Sequence, residues 1–306
     1  GTFMHAIMEA YTGYVTDRKL DWHKITKEDC ISKVYELSEE SVKTITDKIP
    51  LLTQRHKFLI SKMKKYAADT LWAVVRQIQA GFYTPYASEL NIGSSDEIVP
   101  VTVKTSKGEV TLYGVVDRVD RFDDSFRIID YKSSQKSLDL DKVEQGISLQ
   151  LFVYSNALRN SMGKPKGMFY LTLNSPVIPF SEGMTKETVE QKVFESFAFD
   201  GYMVGDENTP FEMDRYMTKK SSITKAELTA KGLSARTKII TPDRYEEISE
   251  KMFEKIRGYA EAITEGDTKV FPFAEGEETA CDYCDFASVC GFEKGSGCFR
   301  TLKKGD

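Results

Sequence analysis

Hydrophobic and polar positions alternate with period two on both sides of Phe122-Asp123-Asp124-Ser125, inside the run GVVDRVDRFDDSFRIIDYKSS at 114–134. That pattern predicts two paired strands joined by a polar turn. Residues 2–16 read as a helix, and a longer helix runs from Lys27 to about Asp47. After Pro50, a third helical stretch extends from Leu51 to Ala80 and stops at Gly81. Strand-like segments occupy 86–92, 98–104 and 109–132, with Gly108 at a turn. A helix from Leu138 to about Met162 is ended by Gly163 and Pro165, and Lys166 to Leu173 reads as a buried strand. The stretch 201–238, rich in Lys, Ser and Thr, reads as a loop or mobile arm. Thr241-Pro242 opens a helix to about Thr264, a capping hydroxyl followed by proline in the first turn. No internal repeat is visible. Helices, antiparallel strands, helix, strand and helix in this order predict a mixed α/β sheet flanked by helices.

The hairpin brings chemistry with it. If Asp123 and Asp124 are its two turn residues, facing positions sum to 122 + 125 = 247, which sets Asp117 across from Asp130. Facing residues have Cβ atoms about 5 Å apart, so two carboxylates share one spot. Lys132, two residues past Asp130, points to the same face. Carboxylates that close repel unless they share a proton or hold a cation, and a hard divalent ion is the natural occupant. An adjacent ammonium can orient a water. These parts describe metal-dependent phosphodiester hydrolysis. A surface hairpin with solvated or salt-bridged Asp and Lys would show the same spacing, so other segments must decide.

The chain has 306 residues, enough for one large domain or two small ones. Its 41% hydrophobic and 29% charged content is ordinary for a globular protein. Apolar runs are short and broken by charge, which predicts no transmembrane span, and residues 1–16 lack a signal-peptide pattern; a cytoplasmic setting is the expectation. Gly1 already sits inside a helical motif, which suggests a piece of a longer polypeptide. The net charge of −5 is not the usual footprint of a nucleic-acid binder. Local runs soften that objection: Arg55, Lys57, Lys62, Lys64 and Lys65 occur with no acid between them, and six Lys or Arg fall in 219–238 against Glu227 alone. Such runs are most often solvated faces, so charge balance decides nothing. No GxxxxGK[ST] pattern occurs, which predicts no ATP hydrolysis by this chain.

Three further groups stand out. His5 and Glu9 lie four residues apart on the first helix, where an imidazole could complete a metal site with two aspartates. Gln150 and Tyr154 repeat that spacing beside the apolar stripe Val143, Ile147, Leu151 and Leu158, and an amide with a phenol can hydrogen-bond a phosphate or a base. Cys281-x2-Cys284-x5-Cys290 is compact, and without a secretory signal it favours a metal or cluster over disulfides. Three thiolates are one short of the four that Zn²⁺ or a [4Fe–4S] cluster takes. Cys30 reads as an ordinary buried cysteine.

In order, GTFMHAIME, YASELNIG, GVVDRVD, DYKSS and QLFVY resemble the RecB-type branch of the PD-(D/E)XK nuclease superfamily. LDLDKVEQGISLQL, KPKGMFYLTL, the GLSAR region and VFPF…CDYCDFASVCGF extend the likeness to the C-terminal nuclease domains of the B subunits of AddAB-type helicase/deoxyribonucleases. The resemblance implies a restriction-endonuclease-like mixed sheet carrying a catalytic β-hairpin. It implies one nuclease domain over 1–306, with a helical insert at 17–82, a catalytic core at 86–175, a Lys-rich arm at 201–240 and a cysteine-rich segment at 271–306. His5, Asp117 and Asp130, with the Tyr131 backbone carbonyl as fourth, would hold Mg²⁺ or Mn²⁺. Lys132 would be the catalytic lysine, Gln150 and Tyr154 would bind substrate, and Glu89 would support the site. Cys281, Cys284 and Cys290 would bind a 4Fe–4S cluster whose fourth cysteine precedes the GTFxH motif, with Cys298 outside the standard set. The implied activity is a DNA exonuclease leaving a 5′-phosphate and 3′-hydroxyl, cutting the 5′-terminated strand beside a helicase partner in double-strand-break repair. Alternatives are a CRISPR-associated four-cysteine exonuclease and a catalytically silent DNA-end-binding module.

Overall fold

A computed structural model describes residues 2–46, 53–93, 98–174, 176–179, 181–293, 295 and 298–302. The helices are α1 (Thr2–Asp17), α2 (Lys27–Thr46), α3 (Gln54–Ala80), α4 (Leu140–Glu144), α5 (Gln150–Met162), α6 (Lys186–Ser196), α7 (Thr209–Met213), α8 (Pro242–Glu265) and α9 (Ala287–Cys290). The strands are β1 (Thr84–Ile92), β2 (Val101–Thr105), β3 (Gly108–Leu112), β4 (Gly114–Phe122), β5 (Ser125–Lys132), β6 (Lys164–Thr172), β7 (Asp200–Val204), β8 (Leu228–Thr229), β9 (Gly232–Leu233), β10 (Ile239–Ile240), β11 (Ala274–Glu275) and β12 (Glu278–Thr279). No helix among the described residues is long and apolar enough to cross a membrane.

The chain divides into two compact units. The first comprises Gly1–Val101, Tyr113–Leu138 and Gln150–Tyr245. It holds a six-stranded mixed sheet in the order β1-β4-β5-β6-β7-β10. Strand β4 runs antiparallel to β1 and β5, β6 lies parallel to β5, and β7 returns antiparallel to β6. The β4–β5 ladder pairs Arg118 with Ile129 through Phe122 with Ser125, so the register sum of 247 holds and Asp123-Asp124 is the turn. Asp123 adopts φ +50°, a left-handed conformation that aspartate tolerates better than most residues.

Helix α1 buries Phe3, Met4, Ile7, Met8, Tyr11 and Val15, a stripe at helical spacing that packs on β1 and on α2 and α3. This leaves His5 at the edge of the stripe, half-buried. Helix α3 starts at Gln54 because Thr53 and His56 close a reciprocal capping box, each side chain accepting from the other's main-chain N–H at 3.3 Å. Helix α5 packs on β4, β5 and β6, where Phe152 stacks on Tyr245 at 5.5 Å.

The continuous helix expected from Leu138 to Met162 does not form. Helix α4 ends at Glu144, and Gly146 (φ +84°) and Ser148 (φ +56°) turn the chain before α5 begins at Gln150. Left-handed backbone at two positions is incompatible with a right-handed helix, and Gly146 meets the demand without a Cβ. The apolar stripe is therefore split, with only Leu151 and Leu158 on α5. The stretch 201–238 is not a plain loop either. It carries part of β7, all of α7 and the β8–β9 hairpin, and buries Met213, Met217, Ile223 and Ala226 in the core.

The second unit comprises Thr102–Leu112, Asp139–Leu149 and Glu246–Asp306. Within it, Ser106 bonds the Glu261 carboxylate through both its N–H and its hydroxyl, and Lys251 pairs with Glu144 at 3.0 Å.

Candidate active site

Asp117 lies near the start of β4, and Glu89 lies near the end of β1. Their neighbours pair as Ser88–Arg118 and Leu90–Val116, a sum of 206 that sets Glu89 opposite Asp117 (89 + 117). Glu89 itself departs from the ladder with φ +49°. From α1, the His5 Nδ1 comes within 3.5 Å of Glu89 Oε1 and 3.7 Å of Asp117 Oδ1. The His5 ring meets the Tyr131 ring edge-on at 5.4 Å. Among the described residues, these are the three His, Cys, Asp or Glu side chains whose ligand atoms all lie within 4.8 Å of one another.

On β5, Asp130 is 2% exposed and its Oδ2 sits 2.6 Å from Lys132 Nζ, yet that oxygen has no hydrogen bond of proper geometry. Lys132 Nζ donates to Gln150 Oε1 at 3.1 Å, and Gln150 Nε2 donates to the Tyr154 hydroxyl at 3.3 Å. Because α5 begins at Gln150, residues 150 and 154 stand one turn apart at its first turn. Gly114 makes room for the phenol: a Cβ there would lie 2.5 Å from Tyr154 Cε1.

The Asp117 Oδ2 accepts the Tyr131 main-chain N–H at 2.5 Å. In extended backbone the N–H and C=O of one residue point the same way, so the Tyr131 carbonyl also faces the Asp117 side. Burial, above all, pushes the Asp117 carboxyl up to about 6; repulsion from Asp130 and Glu89 adds to the rise, against the Tyr131 N–H and His5. A buried oxygen without a hydrogen bond and a carboxylate reluctant to ionise are both features that a bound cation would satisfy. The donor set of carboxylate oxygens plus one imidazole suits Mg²⁺ or Mn²⁺.

Sequence reasoning ranked Glu89 below Asp130 as a ligand, whereas Glu89 joins His5 and Asp117, and Asp130 stands with Lys132. It missed a second feature entirely. Arg118 donates twice to Asp120 at 2.7 Å and Arg127 donates to it at 2.8 Å, all three fully buried. By strand alternation they occupy the face opposite Asp117 and Asp130. Charged residues at alternate positions of an otherwise apolar hairpin were the available signal.

The cysteines behave differently. Cys30 is buried, as expected, and Cys284 and Cys290 are exposed. Cys281, Cys284 and Cys290 do not bring their sulfurs together as a set within 4.8 Å. Their spacing matches a cluster motif, but their placement does not.

Comparison with known proteins agrees with the hairpin. The chain is similar to the B subunit of the ATP-dependent helicase/deoxyribonuclease of Caldanaerobacter subterraneus subsp. tengcongensis, 29% identical over 305 residues, covering 96% of this chain and 26% of that one. The protein of the same name from Alkaliphilus oremlandii is 29% identical over 322 residues, covering 99% of this chain and 28% of its own. The chain thus spans about a quarter of the length of these relatives. The PD-(D/E)XK nuclease superfamily profile matches residues 1–291, and the chain belongs to that superfamily.

Proposed function

We propose that this chain is a divalent-metal-dependent deoxyribonuclease domain that trims DNA ends as an exonuclease, working with a helicase partner in double-strand-break repair. One observation carries the reading: His5, Glu89 and Asp117 converge from three elements beside the contacting pair Asp130 and Lys132. The relatives' printed name supports deoxyribonuclease and helicase as the wider setting.

His5 Nδ1, Glu89 and Asp117 would hold the ion, with Asp130 and the Tyr131 carbonyl beside them. When bound, Mg²⁺ or Mn²⁺ polarises the scissile phosphate and offsets charge on the leaving oxygen. Asp130 and Gln150 fix the Lys132 ammonium, which aims positive charge at the phosphoryl oxygens and orients the attacking water. Tyr154, seated against Gly114, keeps Gln150 in place to receive that ammonium and presents its hydroxyl to substrate. An iron–sulfur cluster on Cys281, Cys284 and Cys290 would be structural and outside this chemistry.

The test is cleavage of end-labelled single-stranded DNA with Mg²⁺, Mn²⁺ or EDTA, by the wild type, Asp130→Ala and Lys132→Ala. Metal-dependent trimming lost in both variants supports the reading. Binding without cutting under every metal overturns it and leaves a DNA-end-binding module.

A further inference from the structure

Within the first unit, a cavity of about 540 Å³ opens between the end of α3, α6 and the segment after α7, lined by Arg76, Phe194, Asp214, Arg215, Tyr216 and Lys220 among others. None of the catalytic side chains lines it. Its charge is one-sided. Among the described residues, Arg76, Arg215 and Lys220 have no carboxylate within the 4.0 Å of an ion pair. The acid in the wall, Asp214, is 6% exposed and already committed: it accepts the Tyr216 N–H at 3.2 Å and the Ser221 hydroxyl at 2.8 Å.

Both guanidiniums are held by means other than charge. Arg76 lies 3.8 Å over the Phe194 ring and gives one donor to Gln191 at 3.0 Å. Arg215 sits 5.1 Å from the Phe82 ring and 5.5 Å from Tyr216, and gives one donor to the Gln79 carbonyl at 2.7 Å. A guanidinium has five N–H donors, so each keeps most of them for a ligand, and a stacked one presents its fork in a fixed plane. Forks of this kind match phosphate oxygens bidentately. The Tyr216 ring is 72% exposed, a large aromatic surface at the mouth of a cationic cavity.

We propose that this cavity is a second, non-catalytic site for a nucleoside phosphate, with the phosphate held by Arg76, Arg215 and Lys220 and the base stacked on Tyr216. The volume suits one nucleotide. Stacking on an open aromatic ring beside cations is how single strands are gripped without regard to sequence. The same chemistry serves a free mononucleotide and one residue of a strand.

The test uses the whole 306-residue protein in EDTA, with fluorescence anisotropy of a labelled oligothymidylate of about 20 nucleotides across a salt series. Arg215→Gln with Lys220→Gln should weaken binding about tenfold or more and flatten the salt slope by roughly 1 to 2 units. Tyr216→Ala should weaken binding roughly tenfold and leave the slope alone. Lys57→Gln with Lys62→Gln, an equal charge loss on the exposed side of α3, is the control. Competition by thymidine monophosphate would assign the site to free nucleotide, and its failure would assign it to a strand. Equal affinity and slope in the cavity double variant and the wild type, or equal losses in cavity and control variants, overturn the proposal. Because Arg215 also bonds α3, melting curves accompany each variant, and Lys220→Gln alone serves if the double variant does not fold.

Discussion

The Asp117 carboxylate accepts the Tyr131 main-chain N–H at 2.5 Å, so a side chain of β4 takes a position that a ladder hydrogen bond would otherwise fill on β5. This contact joins two sequence motifs and leaves the second oxygen, Oδ1, turned to His5. An asparagine could accept the same N–H without the charge. Asp117→Asn should therefore keep the fold and lose Mn²⁺ binding by tenfold or more, read by calorimetry. Asp117→Ala should lose the metal and about 1 kcal/mol of stability besides.

The Asp117 carboxyl, raised to about 6 mainly by burial, predicts a pH dependence with a definite sign. Protons compete with the metal below that value, so Mn²⁺ affinity should climb between roughly pH 5 and 7 and flatten above. Without metal the raised value works against folding: stability should fall as pH rises from the unfolded carboxylate value near 4 to about 6, then level off. Asp117→Asn should abolish that decline in metal-free melts. A decline that persists in the variant assigns it to another group.

Lys132→Ala should reduce cleavage by about 10²- to 10³-fold while Mn²⁺ binding persists. Lys132→Arg should not restore the rate, because the bulkier planar fork cannot take the place of a compact ammonium between Asp130 and Gln150. Single-turnover cleavage beside a metal titration separates the two effects.

Gly114→Ala would set a methyl 2.5 Å from Tyr154 Cε1 and 2.9 Å from its hydroxyl oxygen. The ring must swing away, taking support from Gln150. The expected result is a raised KM for DNA with the melting temperature nearly unchanged. A KM equal to that of the wild type would show that Tyr154 plays no part in binding.

Burial alone would raise the Asp120 carboxyl, but Arg118 and Arg127 outweigh it and hold the group below the ordinary carboxylate range. Its folded pKa is therefore below its unfolded one, so the stabilisation is complete above about pH 4 and fades as pH falls through the folded value. Asp120→Asn should cost about 3–5 kcal/mol at neutral pH, because two guanidiniums are left buried without their anion. Denaturant melts of the variant should also lose sensitivity to acid in the range where the wild type weakens.

Much of this was legible along the chain because it is local. Helices show their period within one stretch, and the Asp123-Asp124 turn sets the hairpin register over a few residues, which is why Asp117, Asp130 and Lys132 group together on sequence alone. The break at Gly146 was also locally marked, yet the apolar stripe from Val143 to Leu158 read as one helix, since periodicity registers hydrophobicity and not backbone handedness. The polar composition of 201–238 concealed Met213, Met217, Ile223 and Ala226, whose burial depends on which surface they meet.

What the sequence by itself determined was the hairpin, its register and the residue types able to hold a metal. Only the tertiary structure decided who stands together. Glu89 reaches Asp117 because β1 lies beside β4, and His5 reaches both because α1 packs on β1. Arg118 and Arg127 share Asp120 because the pleat sends alternate residues into the same buried face. Contacts between distant segments come from burying apolar faces against one another, a balance over the whole unit that no window of sequence contains.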